Sequence, residues 1–374
     1  MKKVLLVASV QSHIAQFHRP LIKVLKEKGY TIDVAARDNL DEKNGLKIEN
    51  VDHIFDVPFH RSPLKKQNRG AYAKLKRIID EGDYELISCN TPVASVLTRL
   101  AARDARKKGT RLFYMAHGFH FYNGAPLRNW VLYYPIERVS AHLADTIITI
   151  TDVDYEFAKK NFKTNVVYMH GAGADQNKFL SVTADKNEKF RHMMEYDQHF
   201  VILCTGELNS NKNQSTLIKA MPLVLEKHPE TLLLMAGNGP KHDDLQRLID
   251  SMNLNEQAVL INYHPDIEIY ANACDLVVSV SFREGLPMNI VEGMICRKPV
   301  LVSHNRGHDQ LVEDQVNGMF AKADDPQDIA DKIIYLIEHP EIREEFAAAG
   351  RETAKLYQMD NIEKEIRRIY FGEE

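Results

Sequence analysis

The sequence predicts an α/β protein in which two Rossmann-like units follow one another along the chain. Short β-rich runs alternate with helical patterns from residue 3 to residue 150, and a second series of the same kind starts at residue 199. A polar, charged stretch without strong periodicity, residues 175–197, separates the two series and is predicted to be the linker. With 374 residues, 44% of them hydrophobic, the chain is too long for one typical core and suits two.

The first series predicts a parallel sheet wrapped by helices. Its strand-like runs are KVLLVAS, YTIDVAA, VDHIFDVP, YELISC, RLFYMA and TIITI. Helical patterns between them cover residues 15–28, 71–81 and 93–108. Such alternation is typical of βαβ units, because parallel strands need a long crossover connection.

The second series repeats this organisation in the other half of the chain. Its strand-like runs are HFVILCTG, TLLLMAG, AVLINY, DLVVSV, PVLVS and NGMF, each separated by a helical segment. We therefore expect two domains, residues 1–178 and 179–358. In parallel sheets of this kind, ligands bind outside the carboxyl ends of the strands, so the loops that follow these runs are the candidate sites.

One such loop carries the most informative motif, SFREGLPMNIVEG at residues 281–293. It places Glu284 and Glu292 around a Gly-Leu-Pro helix start, with Pro287 suited to the first turn. Free N–H groups and the positive dipole end at residues 286–288 favour a diphosphate, and the carboxylates can accept hydrogen bonds from sugar hydroxyls. The alternative is that Glu284 caps the helix and Glu292 is an exposed helical residue.

Five motifs in order resemble the family 4 glycosyltransferases, most closely their bacterial capsule and exopolysaccharide branch. They are GELNSNKN at 206–213, MAGNGP at 235–240, EGLPMNIVEG at 284–293, KPVLVS at 298–303 and VNGMFAKADD at 316–325. The resemblance implies the GT-B fold, in which two Rossmann-like domains face each other across a cleft. It also implies an acceptor domain at 1–178, a donor domain at 179–358, and a final helix from about 359 to 374 that packs back on the first domain.

The GELNSNKN loop supplies the candidate cation for the nucleotide diphosphate. Lys212 follows a predicted strand and precedes a helical pattern, so its ammonium group can reach a phosphate at this edge. The family usually has an arginine as well as a lysine here, and Glu207 occupies the arginine's place in this chain. Because a carboxylate would repel a diphosphate, we expect either that Arg283 or another base compensates or that Glu207 turns away.

The resemblance assigns roles to the other donor-side residues. Glu284 faces the donor sugar, Glu292 binds the ribose hydroxyls, and the backbone from Gly285 to Met288 holds phosphate oxygens. Tyr263 and His264 stand where the family cradles the nucleobase, with an ordinary surface turn as the alternative. The complete donor-binding set is Gly206, Glu207, Lys212, Tyr263, His264, Arg283, Glu284, Gly285, Leu286, Pro287 and Glu292.

In the first series, His117 ends the run RLFYMA and opens the segment HGFHFYNG. The family has a histidine near the donor sugar at this step, so His117 joins Glu284 and Lys212 as a catalytic candidate. His120 lies three residues later, but a metal site needs three or four ligands and the sequence shows no third partner. We therefore expect neither metal nor cofactor. The predicted acceptor-side residues, in loops that follow strands, are Ser12, His13, Asn90 and His120.

A second possible metal motif is the pair Asp152 and Asp154. The pair has the spacing with which other glycosyltransferases hold a divalent ion. It follows TIITIT and precedes a helical run, so N-capping is the preferred interpretation.

The charge distribution divides with the two series. Residues 1–180 carry 28 Lys and Arg against 19 Asp and Glu, and residues 181–374 carry 20 against 33. Basic residues cluster in RSPLKKQNRG at 61–70 and again from Arg99 to Lys108, where a solvated helix face is an equally good interpretation. The first cluster suits an anionic membrane surface or a pyrophosphate-bearing acceptor. Nucleic-acid binding is disfavoured, because the whole chain has a net charge of −4.

The cellular location is predicted from cysteine usage and hydropathy. Cys89, Cys204, Cys274 and Cys296 lie far apart and predict reduced thiols in a cytoplasmic protein. No stretch approaches the roughly 20 apolar residues of a membrane span, so any membrane contact is expected to be peripheral, at the inner face of the cell membrane.

Together with the resemblance, these patterns predict a retaining glycosyltransferase. It would move a hexose or N-acetylhexosamine from a nucleotide diphosphate sugar, with UDP as the expected nucleotide, to a polyprenyl-linked saccharide. Two alternatives remain open: a sugar-nucleotide epimerase of the same fold, and a non-catalytic sugar-nucleotide binding protein, which Glu207 suggests.

Overall fold

The computed structural model describes residues 2–41, 46–60, 62–63, 65–122 and 124–373. The chain divides into two compact units. Unit 1 comprises Met1–Gly173 and Met359–Glu374, and unit 2 comprises Ala174–Gln358. Each unit is built on one parallel sheet, so the predicted α/β class with two Rossmann-like domains is confirmed.

Unit 1 contains a seven-stranded parallel sheet in the order β3-β2-β1-β4-β5-β6-β7. Its strands are β1 (Lys3–Val10), β2 (Thr31–Arg37), β3 (His53–Asp56), β4 (Leu86–Asn90), β5 (Arg111–Ala116), β6 (Thr146–Thr149) and β7 (Asn165–Tyr168). Side chains of β1 from Val4 to Ala8 are 0% exposed, because helices cover both faces of the sheet. The sequence patterns predicted six of these strands and missed β7, whose short run NVVY is only half-buried.

Helices connect these strands in the expected crossover arrangement. They are α1 (Gln11–Phe17), α2 (Arg19–Glu27), α3 (Gln67–Gly82), α4 (Pro92–Ala101), α5 (Arg103–Lys107), α6 (Leu127–Ser140) and α7 (Asp152–Asn161). The cap of α7 is Thr151, whose hydroxyl accepts a hydrogen bond from the Asp154 N–H at 3.3 Å. The prediction that the aspartates cap this helix is therefore corrected, because the N-cap residue is Thr151. Asp152 and Asp154 lie in the first turn, where carboxylates complement the helix dipole.

Unit 2 contains a six-stranded parallel sheet in the order β10-β9-β8-β11-β12-β13. Its strands are β8 (Phe200–Thr205), β9 (Thr231–Ala236), β10 (Ala258–Asn262), β11 (Leu276–Ser279), β12 (Val300–Ser303) and β13 (Met319–Ala321). The order reverses at β8 and β11, and ligands of open α/β sheets bind at such a reversal.

Nine helices of unit 2 lie between or around these strands in the part of the chain that the structure describes. They are α8 (Gln176–Leu180), α9 (Ala184–Met193), α10 (Gln214–Leu225), α11 (His242–Ser251), α12 (Ile267–Ala273), α13 (Met288–Ile295), α14 (His308–Leu311), α15 (Pro326–Glu338) and α16 (Pro340–Ala354).

The prediction that residues 175–197 form a linker is wrong. The segment folds into α8 and α9, which Asp175 and Thr183 cap through side-chain oxygens. Phe179 and Tyr196 are 3% and 5% exposed in the core of unit 2. Two short capped helices carry few apolar residues each, so the segment lacks the strong period that identifies longer helices.

The last helix, α17 (Met359–Phe371), belongs to unit 1 and packs against α2. Ile362 and Ile366 are buried, and the Tyr370 hydroxyl lies 3.0 Å from the Ser88 hydroxyl on β4. An ion pair of 2.7 Å joins Glu363 to Lys23 on α2. The apolar face of α17 therefore completes the core of unit 1.

Among the helices of the described residues, none combines the length and apolar character that crossing a bilayer requires.

Candidate functional site

In unit 2, polar residues collect in the loops that follow β8, β9, β10, β11 and β12. All five strands are parallel, so these loops meet at one edge of the sheet. Direct hydrogen bonds join them: the Phe282 N–H donates to the Asn211 carbonyl at 2.9 Å, and the Asn211 amide donates to the Arg283 carbonyl at 2.8 Å. The loops after β8 and β11 therefore form one connected surface.

The centre of this surface is an ion pair between Lys212 and Glu284. Lys212 Nζ lies 2.7 Å from Glu284 Oε1, and the two side chains are 19% and 13% exposed. Asn209 holds the lysine backbone by accepting a hydrogen bond from its N–H at 3.0 Å. The structure thus brings together two of the three predicted catalytic residues, one from each loop.

The path of the lysine side chain depends on Gly206. This glycine has φ +148°, and a Cβ atom there would lie 3.0 Å from Lys212 Cε. The next loop packs equally closely, because a Cβ at Gly237 (φ +146°) would lie 2.0 Å from the Gly206 carbonyl oxygen. Gly206 therefore has a structural reason to lack a side chain.

The loop after β12 supports Glu284, and the sequence patterns did not identify it as part of the site. A Cβ on Gly307 would lie 2.4 Å from the Gly285 carbonyl oxygen and 2.8 Å from Glu284 Cβ. Arg306 Nε donates to the Glu284 carbonyl at 3.4 Å. Asn305 donates to the Ser281 carbonyl at 2.9 Å, which fixes this loop against the loop after β11.

Beneath this loop, His308 is fully buried and anchors it to the sheet. Its Nδ1 lies 2.6 Å from the Ser303 carbonyl oxygen and its Nε2 lies 3.1 Å from the Ser279 hydroxyl. Burial lowers the pKa of His308 below its usual value, so the ring is held neutral. The sequence signal that could have found this loop is its position after KPVLVS, a predicted strand of the same sheet.

Helix α13 starts at Met288, directly after the Gly-Leu-Pro sequence. Pro287 is the N-cap residue and not a member of the first turn, which corrects the sequence-based placement by one position. The N–H groups of a first turn have no acceptor within the helix, so this end can bind an anion. Glu292 lies in the second turn of α13, and burial raises the pKa of its carboxyl to about 7. The positive charge of Lys178 opposes this rise, and the negative charge of Glu268 adds to it.

Glu207, which replaces the expected arginine, is exposed and held within its own loop. Its Oε2 accepts a hydrogen bond from the Asn209 amide at 3.0 Å. The Arg283 side chain is also exposed. Arg306 is a further cation beside the Glu284 backbone, and no sequence motif predicted it.

The residues predicted for the nucleobase follow β10. The Tyr263 N–H donates to the Asn238 side chain at 3.1 Å, and the Tyr263 side chain is 50% exposed. His264 Nε2 lies 3.1 Å from the Tyr270 hydroxyl on α12. The exposed tyrosine ring is therefore available to a ligand, while the histidine ring packs on the protein.

In unit 1, His117 lies in a cluster with His13 and His18. The His117 ring centroid is 4.4 Å from that of His13 and 5.6 Å from that of His18. Burial lowers the pKa of His117 to about 4. The pKa of His18 is lowered well below its usual value, mainly by burial and to a smaller extent by charge repulsion from His117. A third histidine beside His117 is not evident from sequence patterns, because these do not place the loop after β1 beside the loop after β5.

The other predicted acceptor-side residues occupy different surroundings. The Ser12 hydroxyl accepts a buried hydrogen bond from the Asn39 amide at 2.9 Å, and the Asn90 amide donates to the Val7 carbonyl at 3.2 Å. Asn90 is 0% exposed. His120 is exposed, and its ring lies 4.6 Å from that of Tyr133.

In the basic cluster from Arg99 to Lys108, Arg103, Lys107 and Lys108 are exposed, and one cation is buried. Arg99 is 0% exposed and pairs with Glu137 on α6 at 2.8 Å, so it is not a surface residue. Lys107 pairs with Asp104 at 3.3 Å. In the cluster at 61–70, Lys65, Lys66 and Arg69 are exposed, whereas Arg61 and Leu64 lie outside the described residues.

Comparisons with known proteins agree with this architecture. The family described as Glycosyltransferase Family 4 matches residues 17–169, and the family described as Glycosyl transferases group 1 matches residues 185–353. A Bacillus subtilis protein named "Putative glycosyltransferase EpsD" is 36% identical over 372 residues, covering 99% of this chain and 96% of that protein.

Two more distant proteins carry more specific names. The N,N'-diacetylbacillosaminyl-diphospho-undecaprenol alpha-1,3-N-acetylgalactosaminyltransferase of Campylobacter jejuni is 23% identical, over 96% of this chain and 95% of that protein. The crystal structure of Anabaena Alr3699/HepE in complex with UDP and glucose superposes with a TM-score of 0.78 at 22% identity, covering 100% of both chains. Because the two families match residues 17–169 and 185–353, and because the Bacillus relative is 36% identical over nearly the whole chain, the chain belongs to the family 4 glycosyltransferases and has their GT-B fold.

Proposed function

We propose that this protein is a retaining glycosyltransferase that moves a hexose or N-acetylhexosamine from a UDP-sugar to a polyprenyl-linked saccharide. The observation that carries this proposal is the Lys212–Glu284 pair at the carboxyl ends of β8 and β11, beside the start of α13. The exopolysaccharide or capsule role is supported by the name of the Bacillus relative. The acceptor class is supported by the diphospho-undecaprenol in the name of the Campylobacter relative.

The leaving nucleotide diphosphate needs positive charge, since negative charge develops on it as the glycosidic bond breaks. In this proposal Lys212 and the first-turn N–H groups of α13 supply that charge. Arrival of the diphosphate would draw the ammonium group away from Glu284. The freed Glu284 carboxylate would then accept hydrogen bonds from hydroxyls of the donor sugar. In this way Lys212 would bind the diphosphate and Glu284 the sugar of the same donor.

Glu292 is proposed to bind the ribose, and the exposed Tyr263 ring to contact the base. The half-buried Glu292 carboxyl at the second turn of α13 can accept hydrogen bonds from paired hydroxyls once it is ionised. The UDP in the Anabaena complex supports the choice of nucleotide. Tyr263 adds an aromatic surface on which a planar base can stack.

Retention of anomeric configuration follows if the acceptor hydroxyl attacks on the face that the diphosphate leaves. The new bond joins the acceptor oxygen to the anomeric carbon, the bond to the phosphate oxygen breaks, and the departing diphosphate takes the proton. No protein carboxylate then has to act as a nucleophile, unlike in most retaining glycosidases. His117, neutral at physiological pH, is proposed to hydrogen-bond the donor sugar.

Unit 1 is proposed to serve the acceptor from the inner face of the cytoplasmic membrane. Lys65, Lys66 and Arg69 form an exposed basic surface, which we call the basic patch. Each such cation contributes about 1 kcal/mol of attraction to an anionic leaflet before screening. A polyprenyl diphosphate embedded in that leaflet would therefore be concentrated near unit 1.

The test is to incubate the purified protein with candidate UDP-sugars and a membrane lipid extract, and to identify the products by mass spectrometry. We expect UDP release and a glycosylated lipid only when both substrates are present, with activity that survives EDTA. Turnover of the UDP-sugar alone would favour the epimerase. Donor binding without UDP release for any acceptor would favour the non-catalytic alternative.

A further inference from the structure

Three histidines of unit 1 converge at the carboxyl ends of β1 and β5. His13 lies on α1, His18 directly follows that helix, and His117 follows β5. One possible ligand nitrogen from each ring lies within 4.8 Å of the other two. Two separate segments of the chain thus direct three imidazoles to one place.

His18 is buried, His13 and His117 are half-buried, and the hydrogen bonding of the cluster is incomplete. His18 is 1% exposed, and the Nε2 atoms of His18 and His117 are buried without a hydrogen-bond partner. Buried polar atoms nearly always have partners, since an unpaired one pays its desolvation penalty without compensation. Two such nitrogens in one cluster indicate that a ligand completes it.

The chemistry of the cluster selects the ligand. Imidazole nitrogen binds Zn²⁺ and its neighbours in the transition series, whereas Mg²⁺ and Ca²⁺ prefer oxygen. The group found among the described residues consists of histidines alone, with neither a carboxylate nor a thiolate.

We propose that His13, His18 and His117 form a binding site for one Zn²⁺ ion, with the fourth position open to water or another oxygen ligand. The ion is not required for the proposed transfer, which is expected to survive EDTA. Zn–N bonds of about 2.0–2.1 Å in a tetrahedral site place the nitrogens about 3.3 Å apart. The observed spacing therefore has to close by at most about 1.5 Å, which small rotations of three rings achieve. Three histidines with one open position are a common zinc ligand set.

The opposing explanation is that the rings only pack on one another. His117 meets His13 and His18 edge to face, at interplanar angles of 82° and 84°, and Phe17 lies 5.0 Å from His13. Such packing would give no affinity for a transition metal above that of surface histidines. Metal binding by the protein without any sugar nucleotide separates the two explanations, and it is independent of whether the proposed transferase reaction occurs.

The experiment titrates Co²⁺, a spectroscopic substitute for Zn²⁺, into the metal-free full-length protein. We expect the visible absorption of tetrahedral Co²⁺ to saturate at one ion per chain, to disappear when Zn²⁺ is added, and to persist with Mg²⁺. The His18→Gln variant should lose affinity by about tenfold or more. The matched control is His142→Gln, which changes an exposed histidine of the same unit and should bind as the unsubstituted protein does.

Absence of tetrahedral Co²⁺ absorption in the unsubstituted protein would overturn the proposal. Equal absorption in His18→Gln and in the unsubstituted protein would also overturn it. Circular dichroism shows whether each variant is folded. If His18→Gln is not folded, His13→Gln replaces it in the comparison, and the same loss is expected there.

Discussion

Two ion pairs of nearly equal length show how differently the two units use charge. In unit 1, Arg99 and Glu137 lie 2.8 Å apart with side chains 0% and 5% exposed, and the Tyr114 hydroxyl donates to the same carboxylate at 3.0 Å. In unit 2, Lys212 and Glu284 lie 2.7 Å apart, but at strand ends and with part of each side chain exposed. The first pair is closed to any ligand, whereas the second can exchange one partner for a phosphate or a hydroxyl.

The distance between paired groups therefore does not distinguish a structural ion pair from a functional one. A guanidinium beneath helices cannot leave its partner without exposing a buried charge, so that pair contributes to folding. A lysine on a loop can move between two anions at little cost, because water and backbone dipoles remain available. In unit 2, the charged groups of Lys212 and Glu284 are therefore placed where a phosphate or a hydroxyl of the substrate can replace the partner of each.

The largest expected effect is on the stability of unit 1. Replacing Arg99 with Met leaves Glu137 as an uncompensated buried carboxylate, and we expect the free energy of unfolding to fall by about 3–5 kcal/mol. Urea denaturation of Arg99→Met and the unsubstituted protein measures this change. A loss below about 1 kcal/mol would show that the buried pair is not structural and would remove the contrast with unit 2.

Gly307→Ala should affect catalysis more than folding. The added Cβ would lie 2.4 Å from the Gly285 carbonyl oxygen, so the loop that carries Glu284 has to move. A displacement of about 1 Å at a reacting centre can cost about a hundredfold in rate, and we expect a fall of that order in kcat/KM. The control is Gly70→Ala, where a Cβ meets nothing within 4 Å. Equal activities of the two variants would contradict the supporting role of the loop after β12.

Glu292→Gln should weaken donor binding and leave the fold intact. A charge-assisted hydrogen bond to ribose is worth roughly 1.5–3 kcal/mol, so the dissociation constant for UDP should rise by about one to two orders of magnitude. Isothermal titration calorimetry with UDP measures the change. An unaltered affinity would reject the ribose role.

The raised pKa of Glu292 gives a related dependence on pH. The Glu292 carboxyl has a pKa of about 7 in the folded protein, whereas its ordinary pKa is 4.5. Because the folded state binds this proton more tightly, the carboxyl's contribution to folding stability is lost as the pH rises from about 4.5 to about 7. Ribose hydroxyls need the ionised form as acceptor. UDP affinity should therefore rise as the pH passes through about 7, and this rise should be absent in Glu292→Gln.

The smallest effect per residue is expected at the basic patch. Exchanging Lys65, Lys66 and Arg69 for Gln should weaken binding to anionic liposomes, with about 1 kcal/mol lost per cation before screening. Liposome sedimentation at low salt measures it, and UDP binding by unit 2 is the internal control. Unchanged liposome binding would favour a soluble acceptor.

Sequence patterns predicted the strands of both sheets well, because apolar runs buried on both faces are unambiguous in a parallel sheet. They also selected Lys212 and Glu284 as candidates, since both lie within recognisable motifs after strands, and the structure places the two in one ion pair. They failed for Arg99, since the spacing of cations on a helix does not tell which face the rest of the protein covers. Its partner, Glu137, is 38 residues away along the chain.

Residues whose roles depend on sheet order were not predictable in the same way. Gly307 and Arg306 support Glu284 only because β12 lies next to β11. His18 joins His117 because the loops after β1 and β5 meet, although β4 separates the two strands in the sheet. Local sequence patterns carry no information on which loops meet. The rule that ligands bind at the carboxyl ends of parallel strands limits the candidates to the loops at that edge of the sheet.

The functional role of the Lys212–Glu284 pair is tested by Lys212→Met, with transfer and stability measured in the same preparation. We expect transfer to fall by about a hundredfold or more, because the leaving diphosphate loses its cation. The free energy of unfolding should change by no more than about 1 kcal/mol. Full transfer activity in a folded variant would contradict this role. A loss of stability as large as that of Arg99→Met would contradict it too, since the second pair would then be structural like the first.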